Sequence, residues 1–243
     1  MKPETHIFDD AILAAHAVAT LIQELAIAKQ QQNQTLNMAV SGGSTPKQLF
    51  TLLTGNKYRF AIPWEVIRFF WVDERCVEPA HPESNFGMTY DALLQYAFVP
   101  AQHIFRIKGE DIPANEAVRY ANLLREELPA RKGVPVFDII LLGIGDDGHT
   151  ASIFPDNMAL LNSEKLVDTA THPVSGQKRI TLTGKTINNA DQVVFLVTGK
   201  NKSGIIREIT RETSDALKYP AFHVGNYVGE AALYLDAAAA TEI

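Results

Sequence analysis

Cysteine is almost missing from this chain of 243 residues: Cys76 stands alone, so no disulfide framework can staple the fold. A lone thiol fits a reducing compartment. No run of consecutive apolar residues approaches the roughly 18 needed to cross a bilayer, the nearest being the strand-sized stretch from Ile139 to Ile144. The opening Met1-Lys-Pro-Glu-Thr-His has neither the apolar stretch nor the small-residue cleavage site of a signal peptide. Basic excess is lacking as well, since 22 Lys and Arg face 28 Asp and Glu for a net charge of −6. That balance argues against a nucleic-acid surface, which needs a clustered basic face. The expectation is a cytoplasmic protein without membrane, nucleic-acid or obligate protein partners. Any anionic ligand has to be held by a few local charges.

What is present fits a packed core: 46% of residues are hydrophobic and 21% charged. Val18, Leu21, Ile22 and Leu25 recur at helical spacing, with Asp9 or Asp10 as cap. Strands are expected at Leu36 to Val40, Ile67 to Val72, Ile104 to Ile107, Phe137 to Leu142, Leu166 to Thr171, Ile180 to Leu182, Val193 to Val197 and Ala232 to Leu235. Between them the pattern predicts helices from Pro46 to Leu53, from Ser84 or Asn85 through Leu94, from Ala114 to Leu128 and from Lys202 to Glu212. This alternation predicts an α/β fold with a mostly parallel sheet flanked by helices, and the chain reads as one domain over residues 1–243.

Parallel α/β sheets bind ligands at the carboxyl ends of their strands, so the turns there carry the functional information. In the first, Ser41-Gly42-Gly43-Ser44-Thr45-Pro46, the glycines let the backbone approach a ligand. Ser44 or Thr45 can cap the following helix and Pro46 suits its first position. A helix N-terminus of this kind favours anions, although a plain strand-to-helix turn uses the same residues. The second turn, Asp73-Glu74-Arg75-Cys76, offers a guanidinium for a phosphate and carboxylates to orient it or meet sugar hydroxyls. An exposed ion-pair cluster is its bland alternative, and Cys76 is taken as incidental.

The third turn follows Asp138-Ile-Ile-Leu-Leu and reads Gly143-Ile-Gly145-Asp146-Asp147-Gly148-His149-Thr150-Ala-Ser152-Ile-Phe-Pro155. It contains G-x-G-x-x-G, with Asp168 at the distance of a dinucleotide fingerprint. That reading fails because two aspartates would face the pyrophosphate and Pro155 leaves too little room for a crossover helix. What remains is an imidazole flanked by acids, suited to proton transfer near neutrality. A metal held by Asp146, Asp147 and His149 ranks lower, since H-E-x-x-H, CxxC and a second nearby histidine are all missing. Ser152 lacks the elbow of a nucleophile. Two further segments, Lys178-Arg179 and Gly199-Lys200-Asn201-Lys202, bring cations to strand ends, and Lys202 adds its charge where a helix begins.

These turns, in this order, resemble the 6-phosphogluconolactonase family of the glucosamine/galactosamine-6-phosphate isomerase superfamily. The resemblance rests on Ser41 to Pro46, Trp71 to Cys76, Ser84 to Met88, Gly143 to Pro155, Arg179 to Thr181 and Gly199 to Lys202, which span nearly the whole chain. It implies a modified Rossmann-like fold, no cofactor and no metal, and hydrolysis of 6-phospho-D-glucono-1,5-lactone in the oxidative pentose phosphate pathway. His149 matches the family's catalytic base. Asp147 would orient its imidazole, with Asp146 and Asp73 as alternative orienting acids. Ser41, Gly42, Gly43, Ser44, Arg75, Lys202 and, less directly, Arg179 match positions that hold the phosphate or sugar. Backbone amides near Gly145 or Gly43 are the expected oxyanion donors. The departures, Ile153 for the usual Leu and Ser203 for a frequent Ala, touch no such role. The sister deaminases of glucosamine 6-phosphate carry a glutamate five residues after their histidine, where this chain has Phe154, and tend to read Asp-Glu-Tyr where it has Asp73-Glu74-Arg75. A non-catalytic sugar-phosphate sensor is the alternative from another class.

Overall fold

The computed structural model describes residues 3–225 and 230–243. Its strands are β1 (Glu4–Phe8), β2 (Leu36–Val40), β3 (Ile67–Trp71), β4 (Asp73–Arg75), β5 (Ile104–Phe105), β6 (Ala130–Arg131), β7 (Val134–Pro135), β8 (Ile139–Leu142), β9 (Val167–Thr171), β10 (Lys178–Leu182), β11 (Gln192–Val197) and β12 (Glu230–Asp236). The helices are α1 (Ala11–Gln31), α2 (Ser44–Leu53), α3 (Asn56–Arg59), α4 (Asn85–Thr89), α5 (Pro113–Glu127), α6 (Gly184–Ile187) and α7 (Ser203–Arg211). Seven strands build one sheet in the order β1-β12-β11-β8-β2-β3-β5. Every neighbouring pair in it is parallel.

The central strands are those most legible as unbroken apolar runs, because both of their faces are covered. Every residue of Leu36–Val40 and of Ile139–Leu142 is buried. Helix α1 presents Ala14, Ala15, Val18, Ala19, Ile22 and Ala26 inward. It starts where the Asp10 side chain accepts the Leu13 N–H at 2.8 Å, which settles the choice of cap.

The structure corrects several expectations. Although no unbroken apolar run is long enough, α1 with its 21 residues is long and apolar enough to cross a membrane by length and composition. Its buried face, however, is part of the same core as the sheet. Residues Glu4–Phe8 form a parallel edge strand that was not anticipated, because only alternate residues are partly covered. Asp73–Arg75 is a strand, not a turn. With β9 and β10 it makes a separate antiparallel sheet in the order β4-β10-β9, so the second-half strands do not all join the parallel one. The helix expected through Leu94 ends at Thr89 and continues as a wider π-helical turn over Tyr90–Leu94. Ser44 and Thr45 do not cap α2. Gly43 does, at φ 112°, so the first helical residue is Ser44 and Pro46 is the third, still within the first turn. No crossover helix follows β8, where the chain passes into a kinked turn segment, Pro155–Asn162.

Strand β5 is short enough to leave Trp71 without a partner on that side, since its pairing reaches only Phe69 and Phe70. The buried Tyr120 hydroxyl of α5 fills the gap. It accepts the Trp71 N–H at 2.9 Å and lies 3.2 Å from the carbonyls of Trp71 and Phe105. Tyr120→Phe strips these groups of their partner while keeping the ring. Urea unfolding of the variant is expected to show a loss of about 1–3 kcal/mol, the usual cost of buried backbone groups left unpaired.

Candidate active site

The chain order of the main sheet reverses between β2 and β8, and a cleft of about 280 Å³ opens at the carboxyl ends of these strands. Its walls come from the turn after β2, the turn after β8, the segment after β11 and the small antiparallel sheet. Ser41, Gly42, Gly43, Ser44, Arg75, His149, Arg179 and Lys202 all line it, as does Asp73. Asp146 and Asp147 stand behind this lining, attached to residues that belong to it.

The turn after β8 is closed on itself. The Gly145 N–H donates to the His149 carbonyl at 2.9 Å, and the Thr150 hydroxyl donates to the Gly143 carbonyl at 2.9 Å. Glycine is required at 145 because a Cβ there would lie 2.1 Å from His149 Nδ1. The imidazole rests directly on the backbone and Nδ1 faces Asp147 Oδ1 at 2.6 Å. The same oxygen accepts the His149 backbone N–H at 3.1 Å. Burial alone would raise the Asp147 carboxyl, but these two hydrogen bonds and the nearby imidazole outweigh it and bring its pKa to about 2. With Nδ1 tied to a carboxylate, Nε2 is the nitrogen left to take a proton.

The other two acids do not meet the His149 ring. Asp146 pairs with the Lys202 ammonium and accepts from Asn201 Nδ2 at 2.7 Å. The Lys202 hydrogen bond holds the Asp146 carboxyl below its ordinary range. Asp73 accepts from the Ser152 hydroxyl at 2.6 Å and from Asn85 Nδ2 at 3.1 Å, bracing β4 against the segment that follows His149 and against α4. Glu74 is structural too. Its carboxylate accepts the N–H groups of Asn85 at 2.7 Å and Phe86 at 2.8 Å, anchoring α4. Burial pushes the Glu74 carboxyl up against the opposing pull of those amides.

Arg75 and Arg179 sit opposite each other across the β4–β10 pairing. Neither forms an ion pair among the described residues, and the Nε of each is buried without a partner. Burial, then the neighbouring Arg75 charge, lowers the Arg179 pKa. Arg75 Nη1 donates to the Glu83 carbonyl, and the carboxylates of Asp73, Glu74 and Glu83 act on Arg179 without forming an ion pair, so two guanidiniums in one wall still favour an anion between them. The Gly turn adds further donors, because no acceptor is recorded among the described residues for the N–H of Gly42 or Gly43. The Ser41 hydroxyl, in contrast, is turned to the Leu141 carbonyl at 2.8 Å, and the Gly145 N–H is tied up inside its own turn. Among the described residues the Gly42 and Gly43 amides are thus open donors at the cleft, as is the Ile144 N–H in the His149 turn.

Sequence reasoning missed Asn85, Phe154 and His172, which also line the cleft. Asn85 and Phe154 lie in segments that carry the family resemblance, but neither is assigned a place in the site there. His172 lies in the β9–β10 hairpin, and no local pattern reveals that the hairpin folds over the cleft. Among the described residues no group of three or more His, Cys, Asp or Glu is placed to hold a metal ion.

The family described as glucosamine-6-phosphate isomerases/6-phosphogluconolactonase matches residues 9–233. A 6-phosphogluconolactonase from Haemophilus influenzae is 42% identical over 226 residues, covering 93% of this chain and 95% of the relative. One from Treponema pallidum is 41% identical over 207 residues, covering 85% of this chain and 84% of the relative. Among solved structures, a devB protein superposes with a TM-score of 0.93 at 40% identity over 99% of each chain.

Gly145→Ala is expected to push the imidazole off Asp147 without unfolding the chain. Nitrogen NMR of the His149 ring should then lose the signature of an Nδ1–H bonded to a carboxylate. An unchanged ring spectrum would mean that the turn accommodates the methyl group.

Proposed function

The chain belongs to the glucosamine-6-phosphate isomerase/6-phosphogluconolactonase family, as a lactone hydrolase of the 6-phosphogluconolactonase kind, and on that footing we propose how its cleft works. The substrate is 6-phospho-D-glucono-1,5-lactone and the product 6-phosphogluconate, within the oxidative pentose phosphate pathway. The observation that carries the reading is the His149–Asp147 pair at 2.6 Å beside two arginines that, among the described residues, form no ion pair in the same cleft.

Nε2 of His149 removes a proton from water as the water oxygen bonds to C1, and the carbonyl electrons move onto oxygen. Asp147 holds the ring in the tautomer this needs and stabilises the imidazolium. The Gly42 and Gly43 amides, unpaired in the free protein, offer themselves to the developing oxyanion or to the phosphate at the start of α2. The intermediate collapses with cleavage of the bond from C1 to the ring oxygen, and the imidazolium returns its proton to that oxygen. Arg75 and Arg179 hold the phosphate. Lys202 joins them by sharing its ammonium between Asp146 and the incoming anion. Binding energy from the distant phosphate thereby fixes the lactone carbonyl for attack.

The reading extends to domain and location. One apolar core running from Ala14 to Ala239 supports a single domain. The free, half-buried Cys76 thiol fits the cytoplasm.

His149→Ala should lower kcat by roughly 10²–10⁴-fold with KM little changed, measured on lactone made in situ with spontaneous hydrolysis subtracted. Glucosamine 6-phosphate assayed in parallel should release no ammonia. Arg179→Met should act the other way, raising KM for the phosphorylated lactone more than it lowers kcat. The pH profile follows from the acids. The depressed pKa of Asp147 means its stabilising contact is complete above the ordinary carboxylate range and is lost only as pH falls toward about 2. The acid limb of kcat should therefore show no step from the Asp147 carboxyl in the ordinary carboxylate range. A carboxylate step at pH 4 to 5 would contradict the dyad.

A further inference from the structure

His172 lines the same cleft as His149, and nothing in the reaction above uses it. It stands at the start of the turn between β9 and β10, where its backbone N–H donates to the Gln177 carbonyl and its carbonyl accepts from Gly176, both at 2.9 Å. Its Nδ1 accepts the backbone N–H groups of Ser175 at 3.1 Å and Val174 at 3.3 Å. A nitrogen facing two N–H donors must present a lone pair, so the neutral ring carries its proton on Nε2. A second contact fixes the ring plane. Phe154 meets it edge to face at 77°, with centroids 5.2 Å apart. Phe154 is buried and also packs on His149 at 4.9 Å.

The two imidazoles thus share one phenyl ring, and among the described residues no direct ring contact joins them. This spacing divides their tasks. The lactone carbonyl has to lie within one water of His149 Nε2, so His172 is left with oxygens farther along the ring. The phosphate is served by full charges, one of which, Arg179, lies on the strand that follows the His172 turn. What His172 adds is a neutral, directional donor on a pre-set ring, the kind of group that distinguishes a hydroxyl from its absence.

We propose that His172 is a specificity-determining residue that donates a hydrogen bond from Nε2 to a ring hydroxyl of the sugar lactone. The proposal rests on the lactonase reading above and adds to it the means of recognising the sugar.

Two variants separate recognition from a merely structural role. In His172→Asn the amide oxygen replaces Nδ1 as acceptor for the Val174 and Ser175 N–H groups, while the Nε2 donor is gone. In His172→Gln the amide nitrogen replaces the Nε2 donor, while the turn acceptor is lost. Both would be assayed with wild type on 6-phosphogluconolactone and on the lactones of 2-deoxy-, 3-deoxy- and 4-deoxy-glucose 6-phosphate. The expected result is that Asn lowers kcat/KM on the full lactone by about five- to tenfold, mostly through KM, the size of one lost neutral hydrogen bond. Gln should stay within about twofold of wild type. On one of the deoxy lactones, wild type and Asn should react equally well.

Equal activity of Asn and wild type on every lactone would overturn the assignment. So would a loss in Gln as large as in Asn, or one common factor across all four lactones, because either marks a residue that only holds the hairpin. A wild type that turned over none of the lactones would sink the lactonase reading and this assignment together. A wild type that turns them over while Asn matches it sinks the His172 assignment alone.

Discussion

Strands β2 and β8 are joined over only two residue pairs, Met38 with Ile139 and Ala39 with Ile140, and then part. This brief pairing decides where the cleft is. Beyond it, Val40 pairs on its other side with Trp71, and Leu141 and Leu142 pair with Val194 and Phe195. The two halves of the sheet therefore lead their carboxyl ends away from each other. One buried hydrogen bond, from the Ser41 hydroxyl to the Leu141 carbonyl, spans the opening. It sets the gap between the glycine turn that starts α2 and the turn that carries His149. A serine that reads in sequence as a ligand contact is first of all the tie that keeps the two contributing turns in register.

From that gap the electrostatics follow by division of labour among acids that look interchangeable in sequence. Asp146 and Asp147 are adjacent, yet the turn sends one carboxylate to Lys202 and the other to the His149 ring. If both faced the imidazole, their mutual repulsion would raise one of the two pKa values and spoil the dyad. Sending Asp146 to Lys202 removes that conflict and holds the ammonium at the cleft edge. Asp73, buried and bonded to Ser152 and Asn85, acts through position alone. It ties β4 to the segment following His149, which keeps Arg75 and Arg179 facing the same space.

The parts of this arrangement legible in the sequence are those encoded locally. The buried strands showed as apolar runs, whereas the need for glycine at 145, where the His149 ring lies against the backbone, shows only in the structure. The pairing of carboxylate and imidazole was legible as well, but not which aspartate takes it, because that depends on the turn's dihedrals. The small antiparallel sheet was not legible. Asp73-Glu74-Arg75 has the composition of an exposed turn and becomes a strand only because Arg179, Ile180 and Thr181 lie opposite. The place of His172 in the cleft is a tertiary fact of the same kind: it depends on the hairpin crossing to Phe154, and neither segment carries a sign of the other.

Phe154 shows why fold and reaction part company. The sister deaminases are expected to carry a glutamate at the matching position. Here the position holds a phenyl ring that is 1% exposed and touches both His149 and His172. A ring at that point contributes no proton site. It packs against two imidazoles at once and covers part of each ring. A phenyl ring at this position contributes no titratable group to the cleft, while the gap that makes the cleft is set by the short pairing of β2 with β8.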